Sequence, residues 1–164
     1  MYSDAPAIAA GTAWSWIEKF VSTLRSKIPS KVIALTVKAE WFDTAAYPSG
    51  SLIDVNNNVG NLIDFYIVEY TESTYEGMFT SSQSSQQTAV NQLVQAGIPL
   101  YKIVLANNVG SPSSTELGNI ADRAFTNLGW FSGIGLKYFA SDQSGLEILN
   151  SVETMMNKFI QSQI

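Results

Sequence analysis

The chain alternates two spacings of apolar residues. From about residue 12 to 28 they recur at Trp16, Ile17, Phe20, Val21, Leu24 and Ile28. That is the three-and-four spacing of a helix, with Thr12 placed to cap it and Pro29-Ser30 to end it. The run Val32-Ile33-Ala34-Leu35-Thr36-Val37 is short and nearly uninterrupted, as in a strand buried on both faces of a parallel sheet. Pro48-Ser49-Gly50 and Asn56-Asn57-Asn58 mark a long loop. A second strand is predicted over 63–70 (IDFYIVEY) and a third over 102–106 (KIVLA), with a helix between them carrying Val90, Leu93, Val94 and Ile98 and stopped by Gly97 and Pro99. Ser113 with Glu116 has capping-box spacing for the next helix, which Gly129 closes. A fourth strand runs from Phe131 to Phe139, and a last helix carries Leu146, Leu149, Met156 and Ile160. Strands separated by helices predict a parallel α/β sheet in one domain, residues 1–164. A four-stranded doubly wound sheet and half of an eight-stranded (β/α)8 barrel both fit this order.

Composition narrows the chemistry. Apolar residues make up 46% of the 164 positions, and charged ones only 14%, well below the ~25% of an average soluble domain. Net charge is −5, with nine basic residues and no basic run, which argues against nucleic acid or an anionic membrane as partner. No apolar stretch approaches the ~20 residues of a membrane span. The start Met1-Tyr2-Ser3-Asp4 has no basic leader region, so the expectation is a cytoplasmic chain or one secreted without a recognisable leader. The absence of cysteine and histidine excludes a disulfide framework, a Ser-His-Asp triad, a Cys-His dyad and any His-containing metal site. Neither a cofactor nor a metal is expected. Gly133 and Gly135 lie in a strand without a following Lys-Ser/Thr and form no phosphate loop.

Several segments carry a resemblance. Trp16 to Pro29 resembles the helix after the fourth strand of family-18 glycoside hydrolases, the chitinase family, and Ala34-Leu35-Thr36 its fifth strand. Trp41-Phe42 and Tyr47-Pro48-Ser49-Gly50-Ser51 resemble the loop that follows. Gly60-Asn61-Leu62-Ile63-Asp64-Phe65-Tyr66-Ile67-Val68-Glu69-Tyr70 is similar to the sixth-strand segment GNLIDWYNVQFYN of fungal members. Ala96-Gly97-Ile98-Pro99 with Lys102-Ile103-Val104-Leu105 is similar to the seventh strand, and Gly129-Trp130-Phe131-Ser132-Gly133 to the lead into the eighth. These matches are collinear. They imply an α/β fold that is the C-terminal half of a (β/α)8 TIM-like barrel, with four mostly parallel strands and outer helices.

The departures from that pattern concern catalysis. In the family the fourth strand ends in DxxDxDxE, whose Glu protonates the leaving oxygen while the substrate's acetamido group attacks. The resemblance places Ser3 at that Glu and lacks the upstream aspartates. The Tyr that contacts the acetamido group falls at Thr71, a neighbouring Gln at Glu69 and an Asn at Ile67. The Trp floor of the reactive subsite falls at Lys137. The expectation is therefore no enzymatic activity. Residual hydrolysis would rest on other carboxylates at the C-terminal ends of the strands, where barrel enzymes work: Glu40, Glu69, Glu72 and Asp142, with Glu40 and Glu69 the pair on adjacent strands. The plainer alternative has these acids pair with Lys38 and Lys137 or sit solvated at the mouth.

Three functions compete. The first is a non-catalytic binding protein holding a small amphipathic molecule in the lumen or its mouth, with Glu69, Lys137, Lys38, Glu40, Thr71, Trp41 and Asn107 as candidate contacts. Lys137 motivates it, with Gly135 beside it leaving room. The second is a chitin-oligosaccharide lectin, using Trp41 and Tyr75 as stacking platforms. Trp14 and Trp130 are weaker candidates for such a platform, since core packing is the commoner role. The third is an interaction or storage protein with no pocket ligand. Asn107-Asn108 fits a ligand contact or a loop turn. Glu69 and Lys137 are expected to face one another across the lumen. Four strands of a barrel leave two edges, so a homodimer is expected, closing eight strands, or pairing with a separate other half.

Overall fold

The computed structural model describes residues 13–48, 50–80, 88–108, 114–129 and 132–137, with positions 153, 154, 157 and 161. Thr12, Ser3, Trp130, Asp142, the Ser/Gln tract at 81–87 and most of the last predicted helix lie outside them. Helix α1 (Ala13–Lys27) leads into strand β1 (Ala34–Lys38) and a 3-10 turn (Ala39–Phe42). Helix α2 (Leu52–Val59) and a second 3-10 turn (Gly60–Leu62) precede β2 (Phe65–Glu69). A π-helical turn (Glu76–Thr80), α3 (Val90–Gln95) and a 3-10 turn (Leu100–Lys102) lead to β3 (Ile103–Asn108). Helix α4 (Ser114–Leu128) and β4 (Ile134–Lys137) complete the described elements. The strands form one sheet in the order β1-β2-β3-β4, every pair parallel.

Alternation along the strands separates two faces. Val37, Tyr66, Val68, Ile103 and Leu105 are buried beneath the helices, where they meet Val21 of α1, Val55 of α2, Leu93 of α3 and Ile120 of α4 in one core. Tyr66 is fully buried, edge-on to Phe42 with ring centroids 5.7 Å apart, and its hydroxyl donates to Asn56 Oδ1 at 3.1 Å. Burial pushes its phenol well above the ordinary range. The opposite face is far less covered. Ala34, Thr36 and Lys38 are exposed, and Phe65, Ile67, Glu69 and Val104 are half-buried. In this single chain one face is packed and the other is partly open to water.

Three expectations need correction. Asn56-Asn57-Asn58 do not lie in a loop but in α2. Ser51 starts that helix with a capping box: its hydroxyl accepts from Ile53 N–H at 3.2 Å, while Asp54 Oδ2 accepts from Ser51 N–H at 2.7 Å. Buried Leu52, Val55 and Val59 then override the loop preference of the asparagines. In α1 the buried stripe is Trp14 and Val21, flanked by Ile17 and Leu24; Trp16 and Phe20, predicted to face the core, are 60% and 43% exposed. The strands are also shorter than their apolar runs, and Val32 stands outside β1, 68% exposed.

The N-terminal end of the sheet is tied by charge. Arg25 donates to the carbonyls of Leu62, Pro29 and Lys31 and to Asp64 Oδ2. The same Asp64 oxygen accepts from Ile33 N–H at 2.7 Å. Lys102 Nζ donates to the carbonyls of Gly60 and Ile63, each at 2.7 Å.

Candidate functional site

The C-terminal ends of the strands gather the candidate residues. β1 ends at Lys38, and the 3-10 turn after it buries Ala39 and Phe42 while leaving Glu40 and Trp41 half-buried. Lys38 Nζ lies 3.8 Å from Glu40 Oε1, with both side chains about half exposed. A pair so open and long is worth little by itself, so neither charge is firmly held. Glu40, with Asp43, also acts on the phenol of Tyr47 beyond the turn, which is raised above its ordinary range first by burial and then by those two negative charges.

Parallel register fixes the rows. Glu69 is level with Lys38 on one side and Ala106 on the other, and Ala106 is level with Gly135. Asn108, not Glu69, is in register with Lys137, so the two charges expected to face one another share a phase of the sheet but stand one row apart. The cation directly across from Glu69 in register is Lys38. Asn107 pairs with Leu136, the position next to the Ala106–Gly135 row. Thr71 is exposed, and its hydroxyl donates to Glu72 Oε2 at 3.4 Å.

Between them, Tyr70 pins the end of β2. It is buried, its N–H donates to Ala106 O at 3.2 Å and its hydroxyl to Thr88 O at 2.8 Å. Burial, and then the charge of Glu72, push its phenol far above the ordinary range. Tyr75 was a candidate stacking platform, but it is buried, stacked on Phe79 at 5.1 Å and covered by the Arg123 guanidinium 4.2 Å from its ring centre. Trp14 is core, edge-on to Tyr47 at 6.3 Å. Trp41 packs against the core with its indole nitrogen buried and unbonded, so little of it is offered as a flat sugar platform.

Below the charged row the open face carries Phe65, Ile67 and Val104, all half-buried, with exposed Thr36 level with Ile67. These residues were legible only as members of apolar runs. Their two-residue alternation with Tyr66, Val68 and Leu105 is the signal that separates them from the core. Among the described residues no cluster of three acidic side chains is placed to hold a metal ion, and no helix is long and apolar enough to cross a membrane.

No protein-family model and no curated protein matches the chain. Solved structures do. A GH18 chitinase from Pseudoalteromonas aurantia superposes with a TM-score of 0.66 over 93% of this chain, at 16% identity. The fold resembles part of that of a family-18 glycoside hydrolase. A fungal endo-β-N-acetylglucosaminidase of glycosyl hydrolase family 18 superposes with a TM-score of 0.59 over 90% of the chain, at 19% identity. The chain spans 58% and 51% of the length of those two proteins. At such identities the likeness is one of fold, and it agrees with the partial-barrel architecture that the sequence resemblance implied.

Proposed function

We propose that this chitinase-like fold serves as a non-catalytic binding protein for a small amphipathic anion. The observation that carries the reading is the graded inner face of the sheet. Apolar Phe65, Ile67 and Val104 lie half-open below, and Lys38, Glu40 and Glu69 stand at the C-terminal end. An apolar ligand body suits the first zone and a polar head the second, the common division of labour in small-molecule sites. In a closed eight-stranded barrel of shear 8 the level advances by about one residue per strand. Two strands on from Glu69 this moves the level from Gly135 to Lys137, so closure would bring a second cation to the head-group end.

Loss of catalysis follows from what the family resemblance puts at the reacting positions. Thr71 offers an exposed hydroxyl where an acetamido-contacting phenol is expected, and Ser3, aligned with the general acid, has no titratable group. A general acid contributes roughly 10²–10⁴-fold. Fluorogenic chitobiose and chitotriose substrates should show no turnover above a heat-killed control at acid or neutral pH. Turnover abolished by Glu69→Gln would overturn the non-catalytic reading.

Binding is tested with 11-(dansylamino)undecanoic acid. Saturable fluorescence enhancement, competed by dodecanoate and weakened about tenfold by Lys38→Met, is the expected result; tenfold corresponds to about 1.4 kcal/mol, a modest charge-assisted contact. Absence of saturable binding, together with retention on chitin beads, would replace this reading with the lectin.

A further inference from the structure

Lys38 is the cation that β1 brings to the C-terminal end of the sheet, and the turn after it brings a carboxylate back to that cation. The backbone of this turn is fixed. Ala39 and Phe42 are buried, Phe42 lies edge-on to Tyr66, and Asp43 N–H closes the turn on Glu40 O at 3.1 Å. Asp43 is itself buried. Its Oδ1 accepts from Ala45 N–H at 2.9 Å, and its carbonyl accepts from Tyr47 N–H at 3.0 Å. Glu40 is therefore positioned by its backbone, while its half-exposed carboxylate reaches back two residues to the Lys38 ammonium at 3.8 Å. That distance is too long for a hydrogen bond, so the contact is electrostatic. The charge around Lys38 is one-sided: Glu40 and Asp43 lie in one turn, and Glu69 is level with Lys38 on β2. The phenol of Tyr47, raised first by burial and then by Glu40 and Asp43, shows that both negative charges act across this end of the sheet.

We infer that Glu40 is the specificity-determining residue of this end: it competes for Lys38 as a tethered carboxylate, yields to a singly charged head group and disfavours a dianion. A competitor two residues from the group it touches acts at a high effective concentration. An incoming anion has to displace it, and the displaced carboxylate then stays within reach as a like charge. A single negative charge exchanges one weak partner of Lys38 for another. A second negative charge meets the same ammonium but adds repulsion from both Glu40 and Asp43, so it brings a net loss. The inference rests on the binding proposal and deepens it, because it names the charge class of anion that the head-group end accepts.

The test is fluorescence titration of 11-(dansylamino)undecanoic acid against the parent and Glu40→Gln. Removing the tethered charge should tighten binding by about two- to fivefold, the span of an exposed ion pair. The gain should vanish in the Lys38→Met background, where no ammonium is left to release. Dodecyl phosphate at pH 8 is close to doubly charged. It should displace the probe from the parent no better than dodecanoate does, and from Glu40→Gln about threefold better. Circular dichroism should stay native, since the Glu40 side chain is half-exposed. Glu18→Gln removes the same charge from α1, where Glu18 accepts from Asn58 at 2.7 Å, and should leave probe binding unchanged. A Glu40→Gln variant that binds no tighter, a gain that persists with Lys38→Met, an equal gain from Glu18→Gln, or a parent that prefers dodecyl phosphate overturns the inference. Failure of the two proposals is told apart by the parent. A parent that binds the probe without responding to Glu40→Gln keeps the binding proposal and sinks this one; a parent and a Glu40→Gln variant that both ignore the probe sink both.

Discussion

Replacing Arg25 by alanine should loosen the whole N-terminal end of the sheet. The guanidinium reaches four partners. Nε and one terminal nitrogen donate to Leu62 O at 3.2 and 2.7 Å, the other terminal nitrogen to Pro29 O at 3.1 Å and Lys31 O at 2.9 Å, and Asp64 Oδ2 lies 2.7 Å away. Four separately folded pieces, α1, its exit loop, the approach to β1 and the approach to β2, thus share one side chain. The partners are unequal. Leu62 O is partly buried and loses both donors, a penalty of about 1–3 kcal/mol for an unsatisfied carbonyl. Pro29 and Lys31 are exposed, and water replaces the lost bonds. Asp64 is 38% exposed, which limits the ion pair to roughly 0.2–1 kcal/mol. The expected loss is therefore about 1–4 kcal/mol, most of it from Leu62. With a urea m-value of about 2 kcal/mol/M, the midpoint read by tryptophan fluorescence should fall by about 0.5–2 M at fixed protein concentration. Arg25→Lys should fall between, because an ammonium cannot span the forked arrangement.

Acid sharpens the test. The Asp64 carboxyl is held below the usual carboxylate range, first by the Ile33 N–H and then by Arg25. A depressed carboxylate stabilises the fold above its unfolded value of ~3.9, and that contribution is lost as pH falls through the lower folded value. Asp64→Asn should accordingly cost stability at neutral pH and converge with the parent in strong acid. A midpoint change under about 0.3 M for Arg25→Ala, or an Asp64→Asn deficit that persists in strong acid, would refute the clasp.

Two local devices make further predictions. Ser51→Ala removes the hydroxyl that caps α2 and should cost about 1 kcal/mol in urea unfolding, whereas Ser51→Thr should restore most of it; equal losses would discount the cap. Gly50 sits at φ 139° against the Trp14 indole, so Gly50→Ala should destabilise by about 1–3 kcal/mol and perturb the near-ultraviolet signal of Trp14; a neutral result would mean that the loop shifts freely.

How far the sequence could be read depended on the scale of the signal. Strands β1 to β4 were legible because uninterrupted apolar runs mark buried parallel strands, and turn residues bound them. Which face of each run met the helices was not, because Phe65, Ile67 and Val104 are as apolar as Tyr66, Val68 and Leu105. Helical periodicity likewise gave α1 but not the centre of its buried stripe: Trp14 lies two turns before Val21 and belongs to the core, while Trp16 and Phe20 belong to a flank. The three asparagines in α2 misled because their side chains favour turns in isolation, although Ser51 and Asp54 had the spacing of a cap. The candidate residues were read at the C-terminal strand ends, but register between strands is a tertiary quantity: it sets Lys38 level with Glu69, and Asn108 level with Lys137.

The two ends of the sheet use their charges in opposite ways, and the difference bears on where function resides. At the N-terminal end Arg25, Asp64 and Lys102 are spent on backbone groups at 2.7 to 3.2 Å, and the net result is a fixed geometry. At the C-terminal end Lys38 and Glu40 meet at 3.8 Å with about half of each side chain exposed. Such a pair contributes little to folding, so the fold gains almost nothing from keeping those charges there. Tyr70, Phe42 and the π-helical turn already hold that end by burial and hydrogen bonds to backbone. Charges that contribute so little to the fold can be reoriented toward a ligand at small cost. A head group arriving at Lys38 displaces only a weak contact to Glu40, whereas one arriving at Arg25 would have to break the clasp.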